Sequence, residues 1–251
     1  MIDLKFDVPF WQTRSALLAG EDNINRLKEK KVLVVGLGGV GAYAAELVCR
    51  AGVGKMTVID GDTIEPTNRN RQLLALESTE NISKAELMKK RLLDINPNIE
   101  LDARHLFVKD QLTDELLEEK FDYVIDAIDS LSPKLNLIMK TFHKGYRIIS
   151  SMGAGGKYDP SLVKISDISK SYNCKLAKAL RKRLHRNGIR KGIKVVFSPE
   201  ELDKAAVYAY EDSETGVSGS CVGTISYMPA VFGCFCASAV IRELLHEDTE
   251  H

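Results

Sequence analysis

Val32-Leu33-Val34-Val35-Gly36-Leu37-Gly38-Gly39-Val40-Gly41 is a short apolar run that stops at a glycine-rich turn and opens into an Ala-rich helical segment. The pattern predicts a buried parallel strand feeding a helix. The first amides of that helix have no partner within it, so its N-terminus is a place for phosphate. Glycines 36, 38 and 41 match G-x-G-x-x-G: one for the tight turn, one for close approach of backbone to phosphate, one for packing of helix on strand. Loops of this kind serve NAD, FAD and ATP alike. A second apolar run, Lys55 to Ile59, ends in Asp60. That places a carboxylate about two dozen residues on, where a ribose hydroxyl is usually held.

Outward from this stretch, 251 residues with 44% apolar and 28% charged content suit one large α/β domain or two small ones. Lys and Arg (35) balance Asp and Glu (35), so global charge points to no polyanionic partner and only local clustering could. The five cysteines, Cys49, Cys174, Cys221, Cys234 and Cys236, contain no C-x-x-C pair of the zinc or redox kind. They fit a reducing, cytoplasmic compartment. The N-terminus, with Asp3, Lys5 and Asp7 breaking short apolar pieces, does not read as a signal peptide. Gly216 to Ile241 lacks charge over the length of a membrane span. Its small residues and Pro229 favour a buried loop followed by a helix from about Pro229 to His246, with no integral insertion expected. A membrane-associated form stays open as the alternative.

The first 20 residues carry Phe6, Phe10, Trp11, Arg14, Leu17 and Leu18, a short amphipathic helix or arm in which Arg14 alone reads as a solvated charge. A helix is expected from Gly39 to Ala51. Then Asp60 to Gln72, dense in Asp, Asn and Arg, lies directly after a strand end, where open α/β sheets bind ligands. Ser83 and Glu86 form a capping box opening a helix to about Asn96. Lys84 in its first turn opposes the helix dipole, which favours a use such as pairing with bound phosphate.

Ile99 to Ala103 predicts a strand and Asp110 to Glu118 a helix. Tyr123 to Asp126 is a strand running into Asp126 and Asp129, after which come a helix to Lys144 and a strand at Arg147 to Ser150. Either Asp could cap the next helix. Two carboxylates at the ligand edge of a parallel sheet also suit one Mg²⁺ ligand. Repeated β-α units with right-handed crossovers make the sheet parallel. Beyond Gly153, Gly155 and Gly156, strands are expected at Leu162 to Ile168 and Lys194 to Phe197, with a helix at Cys174 to Asn187. From Lys164 to Lys194 stand eleven Lys or Arg against one acid, Asp167, dense enough to bind nucleic-acid phosphates. No aromatic interleaving suggests base reading, so contact would be to backbone and shape.

The fold class expected is α/β, Rossmann-like: a mostly parallel sheet with helices on both faces and a C-terminal α+β extension. It is read as one domain with an N-terminal arm (1–30), a nucleotide-binding core (31–156) and an extension (157–251) that is basic at 164–194. A dehydrogenase needs the glycines and the ribose carboxylate but gains nothing from Arg71 and Lys84. An enzyme that attacks the α-phosphate of ATP with a carboxylate needs both, because the departing pyrophosphate gathers charge.

At Val34 to Gly41, Asp60-Gly61-Asp62, Asn68-Arg69-Asn70-Arg71-Gln72, Lys84, Ile95-Asn96-Pro97 and Asp126-Ala127-Ile128-Asp129, the chain resembles the ubiquitin-activating-enzyme superfamily of adenylating proteins. The resemblance implies an ATP site and a homodimer. Within it, Asp60 is the ribose ligand, Arg71 and Lys84 hold phosphates, Asp129 holds Mg²⁺, and Arg14 reaches the ATP of the partner subunit. The nucleotide-binding set implied is Gly36, Gly38, Gly39, Gly41, Asp60, Asp62, Asn68, Arg71, Gln72, Lys84 and Asp126.

Ser151 to Gly156, Asp159-Pro160, Ile165-Ser166-Asp167, Leu176 to Arg181 and Phe197-Ser198 are similar to the branch of dehydratases that act on tRNA threonylcarbamoyladenosine. That branch implies ATP-dependent ring closure of the threonylcarbamoyl group on adenosine 37. The implied partners are such a tRNA, a second copy of the chain and a sulfur-relay protein. Cys221 is open to two readings, a reactive thiol in a flexible polar loop or an inert one. The competing functions are an enzyme adenylating the C-terminus of a ubiquitin-like sulfur carrier, disfavoured by the missing zinc cysteines, and a redox or scaffold nucleotide binder, disfavoured by Arg71, Lys84 and Asp129.

Overall fold

The computed structural model describes residues 6–211 and 218–246. Seven strands make the central sheet: β1 (Lys31–Val35), β2 (Lys55–Ile59), β3 (Glu100–Arg104), β4 (Tyr123–Asp126), β5 (Ile148–Ser151), β6 (Lys164–Asp167) and β7 (Lys194–Phe197). Their order is β3-β2-β1-β4-β5-β7-β6. Every pairing is parallel except that of β6 with β7. The sheet is thus mostly parallel, as expected, with one antiparallel strand at its edge. No α-helix lies between β5 and β6 to return the chain in the parallel sense.

The eight helices described are α1 (Thr13–Ala19), α2 (Glu21–Glu29), α3 (Gly41–Ala51), α4 (Lys84–Ile95), α5 (Asp110–Leu116), α6 (Leu131–His143), α7 (Lys175–Arg186) and α8 (Tyr227–Leu245). Side chains of β1 alternate between two cores, as the two-residue period of a strand requires. Val32 and Val34 pack with α2, α3, α4 and α8, whereas Leu33 and Val35 pack with α5, α6 and α7. The core strands are covered on both faces, which is why β1 and β4 read as unbroken apolar runs.

Within the arm expected at 1–30, the described residues form a short 3-10 turn (Phe10–Gln12) and two helices that meet at Gly20, whose φ of 87° ends α1. α8 is long and apolar enough to cross a membrane. Here it is a core helix: Met228, Phe232, Cys236, Ala237, Val240 and Leu244 are buried against the sheet and α3. It begins two residues before Pro229, which sits in the first turn where its missing N–H costs nothing.

A separate antiparallel pair, β8 (Val207–Glu211) with β9 (Ser218–Val222), puts a strand where a buried loop is expected from Gly216 on. Cys221 lies in β9, opposite Tyr208, and not in a flexible polar loop.

Candidate active site

The C-terminal ends of β1, β2, β4 and β5 open into a cleft of about 660 Å³. It lies where the strand order reverses between β1 and β4, the usual ligand crevice of open α/β sheets. Gly36 turns the chain there with φ 90°, and a Cβ on it would stand 2.7 Å from the Ala127 carbonyl oxygen. Gly41, first residue of α3, leaves even less room: a Cβ would fall 1.7 Å from the Gly36 carbonyl oxygen. Both glycines let the N-terminus of α3 close onto the turn, so its free amides face the cleft.

Asp60 lines the cleft at the end of β2. Its Oδ2 accepts from Leu37 N at 2.6 Å and its Oδ1 from Asp62 N at 2.8 Å. Burial pushes its carboxyl above the ordinary range, and the two amide donors and Lys84 oppose that rise. The acid is therefore held in place with a lone pair left on each oxygen. Phe107 stands over Gly61 beside it, with Leu106 and Val108 in the same wall.

The same cleft carries the cations Lys84 and Arg71. Lys84, only 5% exposed, reaches Asp62 Oδ2 at 2.9 Å. Its helix is capped as the sequence predicts, Ser83 Oγ accepting from Glu86 N at 3.4 Å. Arg71 lines the same wall, and its Nη1 donates to Thr67 O at 2.9 Å and Asn70 Oδ1 at 2.8 Å. Asn70 Nδ2 donates to Thr224 O at 3.0 Å, tying this loop to the residues after β9. Gln72 is buried, lines the cleft, and its Oε1 has no hydrogen-bond partner in the structure. An orphaned acceptor of this kind is costly unless a ligand donates to it.

Several expected residues fall outside this wall. Asn68 is buried and serves the loop, accepting from Glu65 N at 3.2 Å. Asp126 is fully buried and does not line the cleft. Lys134 Nζ donates to its Oδ2 at 2.7 Å and Ser150 Oγ does so at 2.6 Å, so its charge is spent inside the sheet. Asp126 therefore faces Lys134 and Ser150 rather than the cleft. Asp129, three residues on, is exposed at the cleft. Among the described residues no cluster of three or more His, Cys, Asp or Glu could hold a metal alone. Arg14 and Cys221 are exposed and line no part of the cleft.

Sequence reading missed Phe107, Lys157, Cys174 and Lys175, all in the cleft wall. Lys157 directly follows the Gly153–Gly156 stretch, and that position after a strand end was the available signal. It is 4% exposed, and its Nζ donates to the carbonyls of Glu200 and Asn173. Burial lowers its pKa. A lysine titrating below its unfolded value penalises the fold while charged, and the penalty lifts as pH rises through the depressed pKa toward about 10.5. The stability of the wild type relative to Lys157→Met is therefore expected to increase between pH 7 and pH 10 in paired thermal melts. A difference that is flat or falls over that window would show that burial does not control this amine.

A mostly parallel sheet whose glycine-rich turn opens into a cleft with a buried acid and two cations defines a nucleotide-binding α/β fold. Residues 12–251 match the ThiF family model, and the chain belongs to the ThiF family. It is 36% identical over 244 residues to the tRNA threonylcarbamoyladenosine dehydratase of Bacillus subtilis (strain 168), covering 94% of each chain. The enzyme of the same name from Escherichia coli (strain K12) is 33% identical over 253 residues, again with 94% of each covered. The crystal structure of E. coli tRNA N6-threonylcarbamoyladenosine dehydratase, TcdA, in complex with ATP superposes with a TM-score of 0.85 at 30% identity, covering 97% of this chain and 98% of that one.

Proposed function

We propose that this chain is an ATP-dependent tRNA threonylcarbamoyladenosine dehydratase. The observation that carries the reading is the phosphate cradle with its cations, Arg71 and Lys84, in a chain similar over nearly its whole length to enzymes of that name. ATP lies with its ribose on Asp60, its phosphates along the α3 N-terminus, and its tail toward Arg71 and Lys84. A carboxylate oxygen of the threonylcarbamoyl group attacks the α-phosphorus, and pyrophosphate leaves. A neighbouring atom of the same side chain then attacks the acyl carbon and sheds its proton. AMP departs with the carboxylate oxygen and a ring remains, one water lighter than the starting nucleoside.

Fixed charges placed where pyrophosphate gathers charge stabilise the transition state without reorganising. Mg²⁺ fits the donor set, because this ion is usually held by one or two carboxylates plus substrate phosphates, and Asp129 supplies the carboxylate. When bound it would neutralise phosphate charge. The chemistry needs no enzyme nucleophile, so Cys221 has no assigned step. The rival activity on a ubiquitin-like carrier has no specific support among these residues. Given ATP, Mg²⁺ and tRNA bearing threonylcarbamoyladenosine, the protein should release AMP and lighten the nucleoside by one water on mass spectrometry. An unchanged nucleoside mass would refute the reading.

The working unit proposed is a cytoplasmic homodimer. Phe10 (80% exposed), Leu17 (58%) and Leu18 (92%) form an apolar surface around Arg14 that suits a second copy. Arg14 then reaches the partner's ATP, as the family resemblance implies. Mixed dimers of Arg14→Ala and Lys84→Met subunits should recover close to half of wild-type dimer activity if each active site draws on both chains, one site per dimer being intact. Mixing that restores nothing would place Arg14 outside the partner's site. A sulfur-relay partner remains a proposal of the resemblance alone.

A further inference from the structure

α7 presents a line of cations that nothing in the described structure neutralises. Lys175, Lys178, Lys182 and Arg186 are all exposed and recur at helical spacing, i, i+3, i+7 and i+11. On a helix these fall on one face, about 5–6 Å apart, over about 16 Å. The opposite face, Ala177, Leu180 and Leu184, is buried in the core shared with α6, so the line is held on a rigid element. Two other basic residues of the helix are engaged elsewhere. Arg181 donates to Ser171 O at 2.7 Å and Ser171 Oγ at 2.6 Å, and Arg183 donates to Ser132 Oγ at 3.3 Å. Among the described residues no carboxylate forms an ion pair with any of the four that remain.

The line starts at the reaction cleft, since Lys175 lines its wall. We propose that α7 is a phosphate rail: Lys178, Lys182 and Arg186 bind successive backbone phosphates of one RNA strand and Lys175 directs that strand into the cleft. The proposal rests on the tRNA reading above and adds the surface and the mode of contact. Unpaired cations at regular intervals with no stacking aromatic between them favour a polyanion read through its backbone. The strand carries its charges more densely than the rail does, so each cation can find a phosphate.

The triple variant Lys178→Gln/Lys182→Gln/Arg186→Gln spares the cleft wall and tests this directly. Affinity for the anticodon-arm RNA is followed by fluorescence anisotropy against salt, with ATP binding measured alongside. Each single-strand phosphate contact contributes roughly 0.7 to the slope of log affinity against log salt. The variant should therefore lose about 2 from the wild-type slope. Between about 50 and 200 mM salt, that slope corresponds to roughly 20-fold of the wild-type affinity loss. ATP binding should not change. A control carrying the same charge change at exposed sites elsewhere, Lys89→Gln/Lys90→Gln/Lys120→Gln, should keep the wild-type slope. Equal slopes for triple variant and wild type would overturn the rail while leaving the dehydratase reading intact. Wild-type protein that binds no RNA at any salt would overturn both.

Discussion

Lys84→Met is expected to reduce turnover by about 10²–10³-fold with the fold intact, the cost typical of removing one fixed charge from the place where a transition state gathers its own. Lys84 is almost fully buried at the head of α4, and its amine meets Asp62 at 2.9 Å. Methionine keeps the apolar stem packed and removes only the charge. Stranding one partner of a buried ion pair normally destabilises by about 3–5 kcal/mol. Here the side chain of Asp62 is 54% exposed and can rehydrate, so the loss should appear in catalysis rather than in the melting temperature. Single-turnover AMP formation and a thermal melt on the same sample separate the two. A variant that turns over within a few-fold of wild type would remove Lys84 from the phosphate site.

Gly41→Ala should be more disruptive, and for a different reason. The added methyl would fall 1.7 Å from a backbone oxygen, and neither partner is a flexible side chain that can swing away. Either α3 is pushed off the turn or the turn opens. Both outcomes take the free amides out of line with a phosphate. Loss of ATP binding below detection and destabilisation in the upper range for single substitutions, above about 4 kcal/mol, are expected. The checks are equilibrium dialysis with ATP and urea unfolding. An alanine variant that binds ATP normally would mean that α3 does not cradle phosphate.

The nucleotide half of the fold was legible because its strands are buried on both faces and its turns need particular residues. Val32–Val35 followed by glycine, and Ser83 capping α4, each allow one arrangement. Other parts were not legible. Asp126 and Asp129 differ in fate because Lys134, eight residues on, folds back onto Asp126 from α6, a tertiary contact invisible to local spacing. β8 (Val207–Glu211) pairs with β9 (Ser218–Val222), and β9, reading Ser-Gly-Ser-Cys-Val, carries little apolar signal of its own. Phe107 and Lys157 sit in the cleft because their loops follow strand ends, while neither belongs to a recurrent motif.

The central claim is that a carboxylate oxygen of the RNA displaces pyrophosphate from ATP and leaves with AMP. Threonylcarbamoyladenosine tRNA labelled with ¹⁸O in its carboxylate, converted in unlabelled water, traces that oxygen directly. The account predicts AMP carrying one ¹⁸O atom. Unlabelled AMP accompanied by cyclised nucleoside would contradict it.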